Sequence, residues 1–194
     1  GRLSANVAMF RIDWDDMQLN VPNPFVPAQF YIANVGGARS SGVEFELNAR
    51  PRPGVDLVAA VGVTRAHFGS GSMWGGVDVS GNGLPNAPGY TVSLGAQYSR
   101  KLGAASGCYG RADVVFYGAY HYDEANREGQ AAYSLANVRA GVQSRRFFAE
   151  AWVKNAFDTR YVPVAFAYGS LAPSGFLGEN GRPRTFGISL GFEF

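Results

Sequence analysis

The chain ends in a stretch that alternates without an error: Phe186, Ile188, Leu190, Phe192 and Phe194 fall on one parity, and Thr185, Gly187, Ser189, Gly191 and Glu193 on the other. A period of two specifies a β-strand, because successive side chains of an extended chain point to opposite faces. A strand this lopsided needs an apolar phase on one side and small or polar neighbours on the other. A soluble sandwich or calyx turns the aromatic face inward, whereas a membrane barrel turns it outward to lipid. Alternation alone serves both.

Only 16% of the residues are charged, against roughly 25% in an ordinary soluble domain. Glycine is abundant at 26 residues, and Gly, Pro, Asn and Asp punctuate the chain, so all-β is the expected class. No run of about 18 apolar residues occurs, which excludes a transmembrane helix but not a membrane barrel, whose strands are apolar at every second residue. The formal charge of +2 is carried by scattered arginines and gives no support to nucleic-acid binding. Cys108 stands alone, so neither an internal disulfide nor a cysteine metal cluster is available. The start at Gly1 is read as a removed leader or a piece of something longer.

Eight strands are expected. The first spans residues 3–19, with Ala8, Phe10, Ile12 and Trp14 read as the apolar face and Met9, Arg11, Asp13 and Asp15 as the polar one. The second spans 29–50, with a bulge at Gly36-Gly37 to keep Arg39 off the apolar parity. The third spans 55–68 and leaves Arg65 on the apolar parity, beyond a membrane edge. A Gly/Ser-rich loop at 69–88 leads to a fourth strand at 90–99. The fifth ends near Tyr122, a polar loop covers 123–130, the sixth and seventh flank Ser144-Arg145-Arg146, and a long loop at 158–183 precedes the terminal strand.

Two features favour lipid over a dry core. The connections run roughly ten, four, twenty, six, nine, two and twenty-six residues, so long and short loops sort to opposite ends. This is the pattern of an up-and-down outer-membrane barrel, and a calyx has no reason to follow it. The polar faces also carry Arg11, Asp13, Glu44, Glu46, Arg50, Arg111, Asp113, Arg139, Glu150, Lys154 and Glu193. In a dry core these need nearly complete pairing, but they are ordinary on the wall of a wet or plugged lumen. Trp14, Tyr90, Tyr98, Tyr120, Phe192 and Phe194 collect near strand ends, as interfacial girdles do.

The stretches Phe10-Arg11-Ile12-Asp13-Trp14-Asp15-Asp16-Met17-Gln18, Asn34-Val35-Gly36-Gly37-Ala38, Leu84-Pro85-Asn86-Ala87-Pro88, Lys154-Asn155-Ala156-Phe157-Asp158 with Tyr161, and Gly181-Arg182-Pro183-Arg184-Thr185-Phe186 occur in this order. Together they resemble the C-terminal barrel half of TonB-dependent outer-membrane receptors, the siderophore, haem and cobalamin importers. The resemblance implies the last eight strands of a 22-stranded barrel, with the plug, the energy-coupling box and the signal peptide outside this chain. It also implies residence in the outer membrane of a Gram-negative bacterium, an iron-chelate ligand, no permanent cofactor and no enzymatic activity. The implied partners are outer-membrane lipid, a TonB-type coupling protein reached through the plug, and the barrel-assembly machinery, which would read Phe194. A self-contained eight-stranded barrel acting as a passive pore or surface adhesin is the alternative, ahead of a barrel enzyme and a soluble calyx.

For ligand capture the candidates are outer-loop aromatics, Trp74, Tyr120, Tyr122, Phe166 and Tyr168, which suit planar or catechol-like ligands, and Arg127, which suits an anionic chelate. His121 joins them through the resemblance. On the residues alone, His67, His121, Asp123 and Glu124 read as solvated loop polarity. Asn155 and Asp158 read as acceptors of backbone hydrogen bonds at a strand exit.

Overall fold

The computed structural model describes residues 2–23, 25–26, 29–168 and 172–193 of the chain. Eight long antiparallel strands form one sheet: β1 (Leu3–Pro22), β2 (Phe30–Arg52), β3 (Val55–Phe68), β6 (Tyr90–Lys101), β7 (Gly107–Tyr117), β10 (Tyr133–Gln143), β11 (Phe147–Lys154) and β14 (Thr185–Phe192). Each pairs with its neighbour in sequence order, and β1 and β14 are not paired with each other. The sheet is therefore an open segment of an up-and-down barrel. Three small hairpins decorate it: β4 (Met73–Trp74) with β5 (Val77–Asp78), β8 (Tyr120–His121) with β9 (Gly129–Gln130), and β12 (Val164–Ala167) with β13 (Phe176–Glu179). No helix forms among the described residues.

The connections alternate as expected. Residues 53–54, 102–106 and 144–146 make the short turns, while 23–29, 69–89, 118–132 and 155–184 make the longer loops, the last three of which carry the small hairpins. Strand ends differ in detail. The first strand reaches Pro22 rather than residue 19. The fifth stops at Tyr117, and Tyr120–His121 forms a separate short strand, so the expected extension to Tyr122 is broken.

Register assigns the faces, because residues directly opposite in a ladder project to the same side. Val7, Phe45, Val61, Val92 and Phe116 form one such row. At the far end of the sheet, Val153 with Phe186 and Ala151 with Ile188 continue the same face. Phe186, Ile188, Leu190 and Phe192 stand 72–78% exposed, as a lipid-facing surface should be when no lipid covers it. Tyr90 and Tyr98 bracket the band on β6, separated by about 26 Å of strand at about 3.3 Å per residue. Phe147 and Phe192 meet at the inner rim, with ring centroids 6.2 Å apart. Phe194 lies outside the described residues.

The first strand corrects the sequence reading. Met9 lies opposite Val43, and Phe10 lies opposite Gly42. The lipid face of β1 is therefore Leu3, Ala5, Val7 and Met9, and the set Ala8, Phe10, Ile12 and Trp14 faces the other way. A Cβ at Gly42 would meet the Phe10 ring at 2.7 Å, so the ring occupies the space that the missing side chain leaves on the lumen side. Arg11 and Asp13 accordingly belong to the lipid-side parity and not to the lumen wall.

The bulge exists, with register shifts between Trp14 and Met17 and between Met17 and Gln18, opposite Gly36. Asp16 takes a φ of 50° there. The shift lies beyond Arg39, so it does not move that residue off the lipid parity. Arg39 pairs with Asp13 and His67 instead, in a polar row outward of the apolar band.

Beyond the bulge, the inner side of the β1–β2 hairpin carries the main buried cluster: Met17, Val21, Val35, Ala38, Phe68, Trp74 and Val79. Ala38 and Phe68 share the lumen-side parity with Gly42 and Thr64. The loop at 69–89 folds down onto that side, and the Trp74 Nε1–H donates to the Asn20 carbonyl at 3.0 Å. The best-packed part of the segment is thus at its loop end.

Candidate functional site

Four long loops meet at one end of the sheet, and short-range polar contacts tie three of them together. Asn126 stitches two of them like a ladder rung: its Oδ1 accepts the Gly83 amide at 2.8 Å and its Nδ2 donates to the Gly83 carbonyl at 2.9 Å. Asn82 Nδ2 donates to the Glu124 carbonyl at 3.0 Å, and the Asn86 amide donates to the His121 carbonyl at 2.8 Å. Tyr120 and Tyr122 reach the loop after β11, donating to the carbonyls of Pro163 at 2.9 Å and Val162 at 2.8 Å. Their rings meet edge-on with centroids 5.7 Å apart. Burial pushes both phenols above their ordinary value, so they remain donors at neutral pH.

A column of three stacked rings stands beside them. Tyr117 and Tyr133, opposite each other in the ladder, stack at 4.9 Å, and Tyr161 stacks on Tyr133 at 4.7 Å. Tyr161 in turn covers Gly181, where a Cβ would overlap its ring. Asn155, 6% exposed, anchors the same loop. Its Nδ2 donates to the carbonyls of Thr159 and Arg182 at 2.9 and 3.0 Å, and its Oδ1 accepts the Thr159 amide at 2.9 Å. Asp158 accepts the Arg184 amide at 2.8 Å. The strand-exit motif therefore folds the 155–184 loop back toward β14.

Above this framework, a cleft of about 670 Å³ opens between the loops, lined by Pro22, Phe30, Trp74, Arg127, Tyr168 and Phe176 among others. Arg127 is held by the buried carboxylate of Asp123, donating from Nε at 2.8 Å. Asp123 also accepts the Arg127 amide at 2.8 Å and the Glu128 amide at 3.3 Å, so a negative charge that is 3% exposed is well solvated by donors. The Arg127 guanidinium lies 5.6 Å from the centre of the Phe176 ring. The neighbouring Glu124 carboxyl is raised above its usual range, chiefly by burial.

The structure brings Trp74, Arg127 and Tyr168 to this cleft. Tyr120 and Tyr122 lie in the framework, with their hydroxyls spent on loop carbonyls. His121 is exposed on β8, and its ring does not line the cleft. Phe166 projects away: it pairs with Leu177 on the outer face of the β12–β13 hairpin, 65% exposed. The inward aromatic of that hairpin is Phe176, which the sequence reading passed over. The turn residues Ser174 and Gly175 were the available signal, because they fix a hairpin whose parity sets Phe176 opposite to Phe166 and Leu177.

The lumen wall is polar and paired in part. Arg111 and Asp113 form an ion pair at 2.6 Å, Tyr109 hydrogen-bonds Glu150, and Lys154 lies over the Trp152 ring at 5.3 Å. A hollow of about 730 Å³ at the short-turn end, lined by Gln97, Tyr109, Arg139 and Gln143 among others, is a bare stretch of that wall. Among the described residues no cluster of His, Cys, Asp and Glu is arranged to hold a metal.

The family model described as TonB dependent receptor-like, beta-barrel matches residues 1–156. The pesticin receptor of Yersinia pestis is 28% identical over 166 residues, which are 84% of this chain and 23% of that protein. Among solved structures, the ferric yersiniabactin uptake receptor of Yersinia pestis superposes with a TM-score of 0.84 at 24% identity, covering 100% of this chain and 28% of that one. A siderophore receptor of Acinetobacter baumannii gives 0.73 at 19% identity, covering 98% and 26%. The chain thus spans about a quarter of the length of these relatives, which are receptors and not enzymes. With the open all-β sheet and its sorted loops, the chain belongs to the TonB-dependent receptor β-barrel family.

Proposed function

We propose that this chain is the C-terminal eight-strand segment of an outer-membrane receptor that takes up an iron–siderophore or a similar anionic chelate. The observation that carries the reading is the cleft between the outer loops, where a fixed cation, Arg127, stands among Trp74, Tyr168 and Phe176. Aromatic faces suit the catechol or heteroaromatic rings of such chelates, and the guanidinium suits their net negative charge. Similar chains carry names that point the same way, among them receptors for ferric yersiniabactin and ferripyoverdine. The free edges of β1 and β14 favour a larger barrel over a self-contained eight-stranded one, because an unpaired edge is costly in lipid. In this reading the missing strands complete the wall, a plug elsewhere in the protein fills the lumen, and a TonB-type protein pulls on that plug. Phe194 serves the assembly machinery.

The test is uptake of radioactive iron by iron-starved cells lacking or carrying the full-length protein, with a panel of ferric chelates. Uptake that depends on the protein and collapses with the proton-motive force supports the reading. Uptake that is unaffected by its deletion for every chelate, or that persists without the proton-motive force, contradicts it.

A further inference from the structure

The two ends of the sheet do not share charge evenly. At the long-loop end of β1–β3, Asp13, Asp15 and Asp16 offset Arg11, Arg39 and Arg65. At the short-turn end the balance is one-sided. Arg52, Arg100, Lys101, Arg145 and Arg146 cluster at the three short turns, all exposed, and none forms an ion pair among the described residues. The carboxylates of that rim are Asp56, held by Arg50 at 2.6 Å, and Glu193. Both lie on the lumen-side parity: Asp56 is opposite Gln97, in the row of Arg111, and Glu193 follows the lipid-facing Phe192. Arg52 and Arg100 lie on the other side. Arg52 stands opposite Val55, in the row of Tyr98, and Arg100 stands opposite Cys108, in the row of Val142. Beyond β1, no long strand puts a carboxylate on this face among the described residues. Aromatic rings stand beside the cations: Tyr98, 52% exposed, is one step from Arg100 on the same face, and Phe147, 43% exposed, follows Arg146 in the chain.

We propose that the short-turn rim of the lipid-side face, with Arg52 and Arg100 on the wall and Arg145 and Arg146 in the neighbouring turn, binds the phosphates of acidic glycerophospholipids in the inner leaflet. Three observations select this ligand. Arg52 and Arg100 are on the parity that looks away from the lumen, so neither a chelate in transit nor a domain filling the barrel reaches them. They sit on β2 and β6, which already have neighbours on both sides, so strands added at the free edges of β1 and β14 leave this face bare. The apolar band begins at the next row, Leu57, Ala96 and Ala112, which sets the cations at the height where headgroup phosphates meet the acyl chains. Acidic lipid gathers at basic residues close to a membrane surface, and paired guanidinium donors match phosphate oxygens. Tyr98 and Phe147 supply the rings that settle at such a boundary. The inference rests on the outer-membrane reading above, in which the short turns face the inner leaflet.

The experiment uses the full-length receptor purified in mild detergent, with phosphatidylglycerol retained per receptor counted by native mass spectrometry. Phosphatidylcholine and inorganic phosphate are the comparison probes. The Arg52→Gln/Arg100→Gln variant should retain about tenfold less phosphatidylglycerol than the parent. Arg52→Lys/Arg100→Lys keeps both charges and should retain most of it. Arg139→Gln, which removes an exposed cation from the lumen side, should match the parent. The parent should hold phosphatidylcholine far less well, and inorganic phosphate should not displace the acidic lipid. Equal retention by the Gln variant overturns the proposal, as does equal retention of both lipids by the parent, which would mark an unselective apolar collar. Displacement by inorganic phosphate alone overturns it too, as a free-anion site. A receptor missing from the outer-membrane fraction sinks the localisation and the proposal together, whereas any of the other failures in a receptor found there sinks the proposal alone.

Discussion

The Tyr161 ring lies flat against the backbone of Gly181, whose amide donates to the Tyr161 carbonyl at 2.8 Å. The contact clamps the two ends of the 155–184 loop, and it requires that residue 181 have no side chain. Gly181→Ala should therefore cost about 1–3 kcal/mol through overpacking. It should unstack Tyr161 from Tyr133 and expose the loop to protease. Gly103→Ala, where a Cβ meets nothing within 4 Å, is the matched control and should leave melting unchanged.

Asn155 predicts a second loss at the same clamp. Its side chain serves the Thr159 amide and two carbonyls from a buried position, so Asn155→Ala leaves those groups unpaired, at a cost of about 1–3 kcal/mol. Amide exchange should quicken along the 155–184 loop. The strands β10 and β11 should exchange as before.

Arg127 predicts a binding phenotype. Arg127→Gln should weaken capture of an anionic ferric chelate by about tenfold, the loss of one charge-assisted contact. Arg127→Lys, which keeps the charge and loses the fork, should fall between. Unchanged affinity in both, measured by fluorescence quenching on the full-length receptor, would remove the cleft from the account.

Glu124 predicts how loop order depends on pH. Burial raises its folded-state pKa above the unfolded value near 4.5, so the folded loop binds the proton more tightly. Its contribution is most favourable below that value and is lost as pH rises through the raised one. Protection of the 118–132 loop against exchange should fall from pH 4 toward neutrality, and Glu124→Gln should flatten that fall. Asp78 runs the other way: the Ser80 hydroxyl and amide hold its carboxyl below the usual range, so the turn at the exit of β5, where the Ser80 amide donates to Asp78, should loosen as pH falls.

The strand count, the sorting of loops and the terminal strand were legible because each rests on local parity or turn chemistry. The face of β1 was not. Its apolar residues switch parity midway, from Leu3, Val7 and Met9 on the lipid side to Phe10, Ile12 and Trp14 on the other, and a single-strand reading followed the stronger, later half. Only the partner strand resolves this, since Val43 and Phe45 fix the lipid side and Gly42 makes room for Phe10. Cleft residues Trp74, Arg127 and Tyr168 were singled out as loop aromatics and a loop cation. Phe176 and the Tyr117–Tyr133–Tyr161 column needed long-range pairing that no local pattern carries.

The pairing of β1 with β2 sets Val7 and Met9 toward lipid and Ala8 and Phe10 toward the lumen. In the full-length receptor reconstituted in bilayers, nitroxide labels at Val7, Ala8, Met9 and Phe10 should alternate in collision with oxygen, high at Val7 and Met9 and low at Ala8 and Phe10. Correspondingly, Val7→Arg should cost about 2–4 kcal/mol near the midplane, and Ala8→Arg, opposite Glu44, should cost little. The reverse alternation, or four labels equally exposed to a water-soluble quencher, would overturn this orientation of β1.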